Sequence, residues 1–328
     1  MKDVHFTKGV EKLVNPIEVG TLHYMQNFNN MMPKNMQKKM ISKASSVTPY
    51  MGFVVEPYSY YLCYELKDLD KAKAYLPEGY RLVKTKIFDD GDEKYYGIFG
   101  CFNAHTSGFW GLRVEFYIIA ENIQTGLMSW IIVDYDTNTI TYDPKNGLSD
   151  ANSRSSMMTT DFDGTLILDI ESNSNRKLKF NSNIRNGVFK PLYQRLWVEG
   201  NLSITYGRYK SGDNPYEFSL IFDPKEFKEA LSINLEDLDL IDNNWFPDLI
   251  GDEPDLVLCF PYAQHMVSDS PGHASHINSE EELIKKHDSL DFDKIPLFTT
   301  DKFKKMMSVV MSVLLGMNLL LALALIVN

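Results

Sequence analysis

Between Tyr58 and Tyr209 the apolar residues come in short, partly alternating runs and not at helical spacing. YSYYLCYEL, YRLVKTKIF, KYYGIFGCFNA, RVEFYIIAE, GLMSWIIVDY, NTITYD, GTLILDIE, KLKFNSNI and LSITYGRY are rich in β-branched and aromatic residues, and each predicts a strand. DDGD at 89–92, DTN at 136–138 and SNSN at 172–175 supply turn chemistry between runs, so neighbours are expected to pair as antiparallel hairpins. LVLCF at 256–260 reads as one more strand. Helical patterns are few. DLDKAKAYLP predicts a helix that Asp68 caps and Pro77 stops, and EEELIKKH one that Ser279 caps. In MMPKNMQKKMISKASS, Met36 and Met40 stand one helical turn apart beside Lys38, Lys39 and Lys43, which predicts a short amphipathic helix for an anionic surface or a neighbouring groove. The expected class is mainly β (α+β), an antiparallel barrel or sandwich with a few helices.

Polarity disappears at the C-terminus. Residues 306–327 read MMSVVMSVLLGMNLLLALALIV without a charge, long enough as one helix for a hydrocarbon core of roughly 30 Å. A transmembrane anchor is expected there, and Lys302, Lys304 and Lys305 before it place the large domain on the cytoplasmic side. Gly316 and Asn318 inside the span leave pairing with a second copy open. The first twelve residues carry charges throughout and offer no apolar stretch of secretory type. The expected organisation is an arm over 1–50, a β domain over 51–267, a polar linker over 268–305 and the span over 306–327.

Against 44 acidic side chains stand 33 basic ones, a net charge of −11 with no compensating basic tract, so nucleic acid is not an expected partner. Cys63, Cys101 and Cys259 form no CxxC pair and suggest buried, reduced thiols in place of a disulfide framework or zinc site. His265, His273, His276 and His287, with Asp269, gather late in the chain, but Pro271 and Gly272 make the HASH segment a loop, and no metal or cofactor is expected. DFDGT at 161–165 matches the first motif of haloacid-dehalogenase phosphatases, whose nucleophilic Asp ends a parallel strand before a helix. SRSSMMTT before it and strand-like LILDI after it make a turn the better reading, with the phosphatase a remote alternative.

One ordered constellation remains: YSYYLCYELKDLDKAKAYLPEGYRLV, YYGIFGCF, VEFYIIAE, a strand pair ending in YDPKNGL, and DGTLILDI. It resembles the acetoacetate decarboxylase-like superfamily over about half the chain. The resemblance implies a closed, cone-shaped antiparallel barrel in which a turn presents a Schiff-base lysine, and that lysine corresponds to Lys145. Glu115 and His105 would then orient an acid or move protons, and Trp110, Tyr117 and Trp130 would line the pocket. The implied activity is that of a lyase acting on a small or lipid-like organic acid; the alternative is a non-catalytic module that binds a lipid or a partner at the membrane. Asn146 stands where the family has a second lysine, DYDTNT replaces its GRE segment, and PYSYY holds no arginine. These departures favour the module, and DPKNG is also an ideal exposed turn.

Overall fold

The strand patterns recur as strands in a computed structural model, which describes residues 4–30, 33–46, 49–143, 147–212, 216–269, 275–297, 299, 301, 304–305, 308–309, 311–313 and 315–318. Three helices come first: α1 (Val4–Leu13), α2 (Pro16–Asn30) and α3 (Lys34–Ser45). β1 (Tyr50–Val55) and β2 (Ser59–Glu65) lead to α4 (Leu69–Tyr75), β3 (Tyr80–Leu82) and three long strands, β4 (Tyr96–Thr106), β5 (Trp110–Asn122) and β6 (Met128–Thr137). Then come β7 (Thr141–Asp143), β8 (Gly147–Ser149), β9 (Ser153–Thr160), β10 (Thr165–Ser172), β11 (Lys177–Asn183) and β12 (Val188–Pro191). A π-helical turn (Arg195–Glu199) runs into α5 (Gly200–Leu202), β13 (Ile204–Tyr206), α6 (Arg208–Ser211) and β14 (Leu220–Phe222). The last elements are β15 (Glu229–Ile233), β16 (Leu238–Asn243), β17 (Leu256–Phe260), β18 (Gln264–Asp269) and α7 (Glu280–Ser289). Both expected caps form: the Asp68 carboxylate accepts from the Lys71 amide, and the Ser279 hydroxyl from the Glu282 amide.

β4 is the hub of a 12-stranded sheet. One of its edges pairs with β5 from Gly97↔Ile118 to His105↔Trp110. Its other edge is shared, with β2 along Tyr96–Cys101 and β1 along Ala104–Thr106. Beyond β2 follow β17, β15 and β12; beyond β1 follow β18 and β14; beyond β5 follow β6 and, in parallel, β13. A separate four-stranded sheet runs β16-β11-β10-β9, and β7 pairs with β8 as a small hairpin. The expected closed barrel is therefore not seen as a continuous ladder. Among the described residues the branches through β13 and β14 meet at one isolated bridge, Ile204 to Phe218, because β13 is only three residues long and its free edge meets the chain at that point alone.

Alternation on β5 divides the interior in two. Tyr117 and Ile119 point into one core, with Trp130, Trp197, Phe260 and Leu258. Leu112, Val114, Phe116, Ile118 and Ala120 point into the other, where Leu166, Leu168, Ile170 and Phe180 of the four-stranded sheet cover them. Both faces of β5 are thus apolar, which is why RVEFYIIAE reads as a nearly continuous hydrophobic run. α1 adds Phe6, Val10 and Leu13 to the first core, and α7 adds Leu283. Cys63, Cys101 and Cys259 are free and buried, as expected.

The membrane anchor, and the cytoplasmic placement inferred from it, are corrected. No helix among the described residues is long and apolar enough to cross a membrane. A span needs an apolar helix of about 20 residues, and the described residues contain no helix that meets this. Within 306–327 the described residues are helical, and Val309, Val313 and Leu315 are more than half exposed.

Candidate functional site

Arg113, Glu115 and Tyr117 occupy alternate positions on β5 and so share its face toward the first core. The Arg113 Nε donates to Glu115 Oε1, the Tyr117 hydroxyl donates to Glu115 Oε2, and the Arg113 Nη1 donates to Thr141 Oγ1 at 2.8 Å. Tyr135, opposite Glu115 on β6, lies with its ring 4.1 Å from the Arg113 guanidinium carbon. Arg113 and Glu115 side chains are only 6% and 7% exposed. Removing two charges from water costs several kcal/mol each and is recovered only when the pair is well bonded, as it is here.

The electrostatics follow from that burial. Burial works against the charge on Arg113, but the Glu115 carboxylate more than restores it and holds the guanidinium above its ordinary pKa. Burial, with Glu115 next in effect, pushes the phenols of Tyr117 and Tyr61 well up. Both remain neutral hydrogen-bond donors at any ordinary pH. Around this polar row the Tyr117 ring meets Trp130 edge-on at 5.1 Å, Trp130 lies 5.3 Å from Trp197, and Trp197 lies 5.3 Å from Tyr61. The buried Trp130 Nε1 has no hydrogen-bond partner among the described residues. It sits so close to Gly200 that a Cβ there would approach to 2.5 Å.

Three of the sequence-selected residues, Glu115, Tyr117 and Trp130, are thus brought together. His105 and Trp110 are not. They face each other across β4 and β5, their rings 4.5 Å apart, and the imidazole bonds to Glu56. Gly100 is the partner of Glu115, so His105 lies five residues farther along β4, roughly 17 Å at strand rise. By alternation His105 and Trp110 belong to the opposite face. Lys145 lies outside the described residues; the flanking register is Asp143↔Gly147, and Thr141 at the root of the hairpin is the residue bonded to Arg113. Arg113, Tyr61 and Thr141 were missed in the sequence. A charged pair at i and i+2 inside an otherwise apolar strand was the signal for the first.

A second charged group lies behind the same strands. Arg176 bonds to Asp134 and, at 2.6 Å, to Asp136, while Lys210 reaches Asp134 at 2.8 Å and lies 4.7 Å from the Tyr135 ring centre. Burial raises the Asp136 pKa to about 6, although Arg176 pulls it back. DFDGT forms the turn of the β9–β10 hairpin, where the Asp163 carboxylate accepts from the Thr165 amide. Antiparallel strands on both sides replace the strand-then-helix context a phosphatase nucleophile needs. The late histidines are scattered: His265 is buried beside Glu226, His287 stacks on Phe6, His276 is exposed, and His273 lies outside the described residues. No group of three ligand side chains that could hold a metal ion occurs among the described residues.

No protein-family model matches the chain, and no curated protein matches it. Solved structures similar to it include two acetoacetate decarboxylases. One is an acetoacetate decarboxylase from Legionella pneumophila, 10% identical with a TM-score of 0.38 over 67% of this chain and 84% of that one. The other, from structural studies of acetoacetate decarboxylase, is 13% identical with a TM-score of 0.37 over 67% of this chain and 86% of that one.

Proposed function

We propose that the protein binds a small organic acid at the Arg113–Glu115–Tyr117 centre, with Lys145 available for decarboxylase-like imine chemistry on a keto acid. The observation that carries the reading is the buried ion pair itself. An ion pair set in an aromatic core contributes little net stability, and such groups concentrate where a ligand is held or a proton moved. The guanidinium would attract the carboxylate, Tyr117 would donate to it, and Trp130 would exclude water. The branches meeting at the Ile204–Phe218 bridge would form the wall around this centre. In sequence Lys145 lies between Asp143 and Gly147, which pair with each other. Its neutral amine would add to the substrate ketone and release water as the iminium forms. The iminium would accept the electron pair left by departing carbon dioxide, and protonation and hydrolysis would then return the amine.

A second reading, binding without chemistry, is favoured by Asn146 in place of a second cation that would keep the amine neutral. One experiment separates the two. The full chain is incubated with a panel of β-keto acids, reduced with borohydride, and mapped by peptide mass. An adduct at Lys145 that Lys145→Ala abolishes supports imine chemistry. Calorimetric binding of the acids without an adduct, lost in Arg113→Gln, supports the module. A folded protein that shows neither overturns the assignment of this centre.

A further inference from the structure

Four residues stand opposite one another across four strands: Tyr61 on β2, Gly100 on β4, Glu115 on β5 and Tyr135 on β6. Directly opposed residues of antiparallel strands share a face, so all four look toward the first core. Two strand spacings of about 4.8 Å separate Tyr61 from Glu115, with only a glycine between them. The glycine makes room. A Cβ at Gly100 would come to 3.0 Å from the Tyr117 ring and 3.1 Å from the Tyr61 ring, so its absence lets the two phenols converge on the middle of the row.

From Ser59 to Tyr64 every residue of β2 is buried except Tyr61, which keeps accessible surface. Its two cross-strand neighbours, Leu258 on β17 and Gly100 on β4, are both buried. The accessible space at Tyr61 therefore lies within the sheet, on its first-core face, and not at an edge. The ring is held there, with Trp197 edge-on at 5.3 Å and Phe260 edge-on at 5.7 Å. The hydroxyl is not held. It makes no hydrogen bond among the described residues, and both oxygens of Glu115 already accept, one from Arg113 and one from Tyr117. Kept neutral by burial and by Glu115, the phenol is available as a donor at any ordinary pH. A polar group in an apolar core is almost always paired, since it has given up its bond to water.

We propose that Tyr61 is a specificity-determining residue of the acid-binding centre. Its hydroxyl donates to a second oxygen on the ligand, so the centre selects short acids with a keto or hydroxyl oxygen over plain carboxylic acids of the same chain length. The inference rests on the reading of that centre as an acid site. A site that offers a hydrogen bond rejects a ligand unable to take it, because the donor is left unpaired once the ligand excludes water. Arg113 meets the charge that all such acids share; Tyr61 distinguishes among them.

Calorimetric titration of the full chain with 3-hydroxybutyrate and with butyrate tests it. The two differ by one hydroxyl, and neither has a ketone that could form an imine at Lys145, so covalent chemistry cannot produce the preference. The hydroxy acid should bind roughly tenfold more tightly than butyrate. Tyr61→Phe keeps the ring and removes an oxygen bonded to no other described residue. It should abolish the preference, weakening the hydroxy acid about tenfold and leaving butyrate unchanged. Arg113→Gln, checked for folding by circular dichroism, should weaken both acids alike. Equal binding of the two acids by the unaltered chain, or a preference that survives Tyr61→Phe, would overturn the role of Tyr61 and leave the acid-binding centre standing. Binding of neither acid up to the order of 10 mM would overturn the centre itself, and the role of Tyr61 with it.

Discussion

Glu115 is the residue on which the first core turns, since both of its oxygens are committed, one to Arg113 and one to Tyr117. Glu115→Ala should destabilise the protein by about 3–5 kcal/mol in urea unfolding, because it strands a buried guanidinium. Replacing both partners, Arg113→Met with Glu115→Leu, should recover most of that loss, since an apolar pair of similar volume removes the desolvation cost altogether. The double variant should nonetheless bind no keto acid, which separates stability from function at the same two positions. Asp136 gives a second prediction. Its folded pKa of about 6 stands above the ordinary aspartate value of about 3.9, so the folded state binds the extra proton between these values. The stabilisation is complete below pH 4 and lost as pH rises through 6, an effect on the order of 2–3 kcal/mol. Unfolding measured from pH 4 to 7 should show that fall, and Asp136→Asn should flatten it; an identical profile in the variant would assign the dependence to other groups.

Among the elements, α4 was legible because its signals are local. Asp68 caps it, the amide of Leu76 at its end bonds back to Lys73, and no long-range contact is needed to place either end. Asp68→Ala should cost about 1 kcal/mol by calorimetry. The long strands β4, β5 and β6 were equally plain from their apolar runs. β9 was not: SRSSMMTT is largely polar, and it is a strand because β10 pairs with it from Leu166↔Thr160 onward. The same limit applies to the site. Glu115, Tyr117 and Trp130 were singled out through the family resemblance, and His105 and Trp110 were grouped with them although strand alternation sends them to the other face.

At the scale of the molecule, the two ends of the described chain are packed together. The Phe6 ring stacks on His287 at 4.2 Å, Lys12 pairs with Asp293 at 2.8 Å, and a Cβ on Gly9 would strike the Phe292 ring at 2.2 Å. α1 and the segment after α7 therefore close one side of the first core jointly. Gly9→Leu should force them apart and lower Tm by several degrees, on the order expected for a 2–3 kcal/mol overpacking defect. Hydrogen exchange should show the loss at both α1 and α7; a loss confined to α1 would show that the two do not act as a unit.

The sequence by itself determined that β2, β4, β5, β6, β10, β11 and β17 are strands, where the capped helices begin, that the cysteines are buried thiols, and that DFDGT is a turn. Each of these rests on residues within a few positions of one another, where side-chain periodicity and local hydrogen bonding are strong enough to decide. Tertiary structure alone decided that β4 is shared by β1 and β2, that no ladder closes a barrel among the described residues, and that Arg113 and Glu115 form a buried pair against Tyr135. It also decided that Tyr61 stands in one row with Gly100 and Glu115. These depend on pairing between segments tens to hundreds of residues apart, and register, which carries every side chain to one face or the other, is settled only when the partner strand is in place.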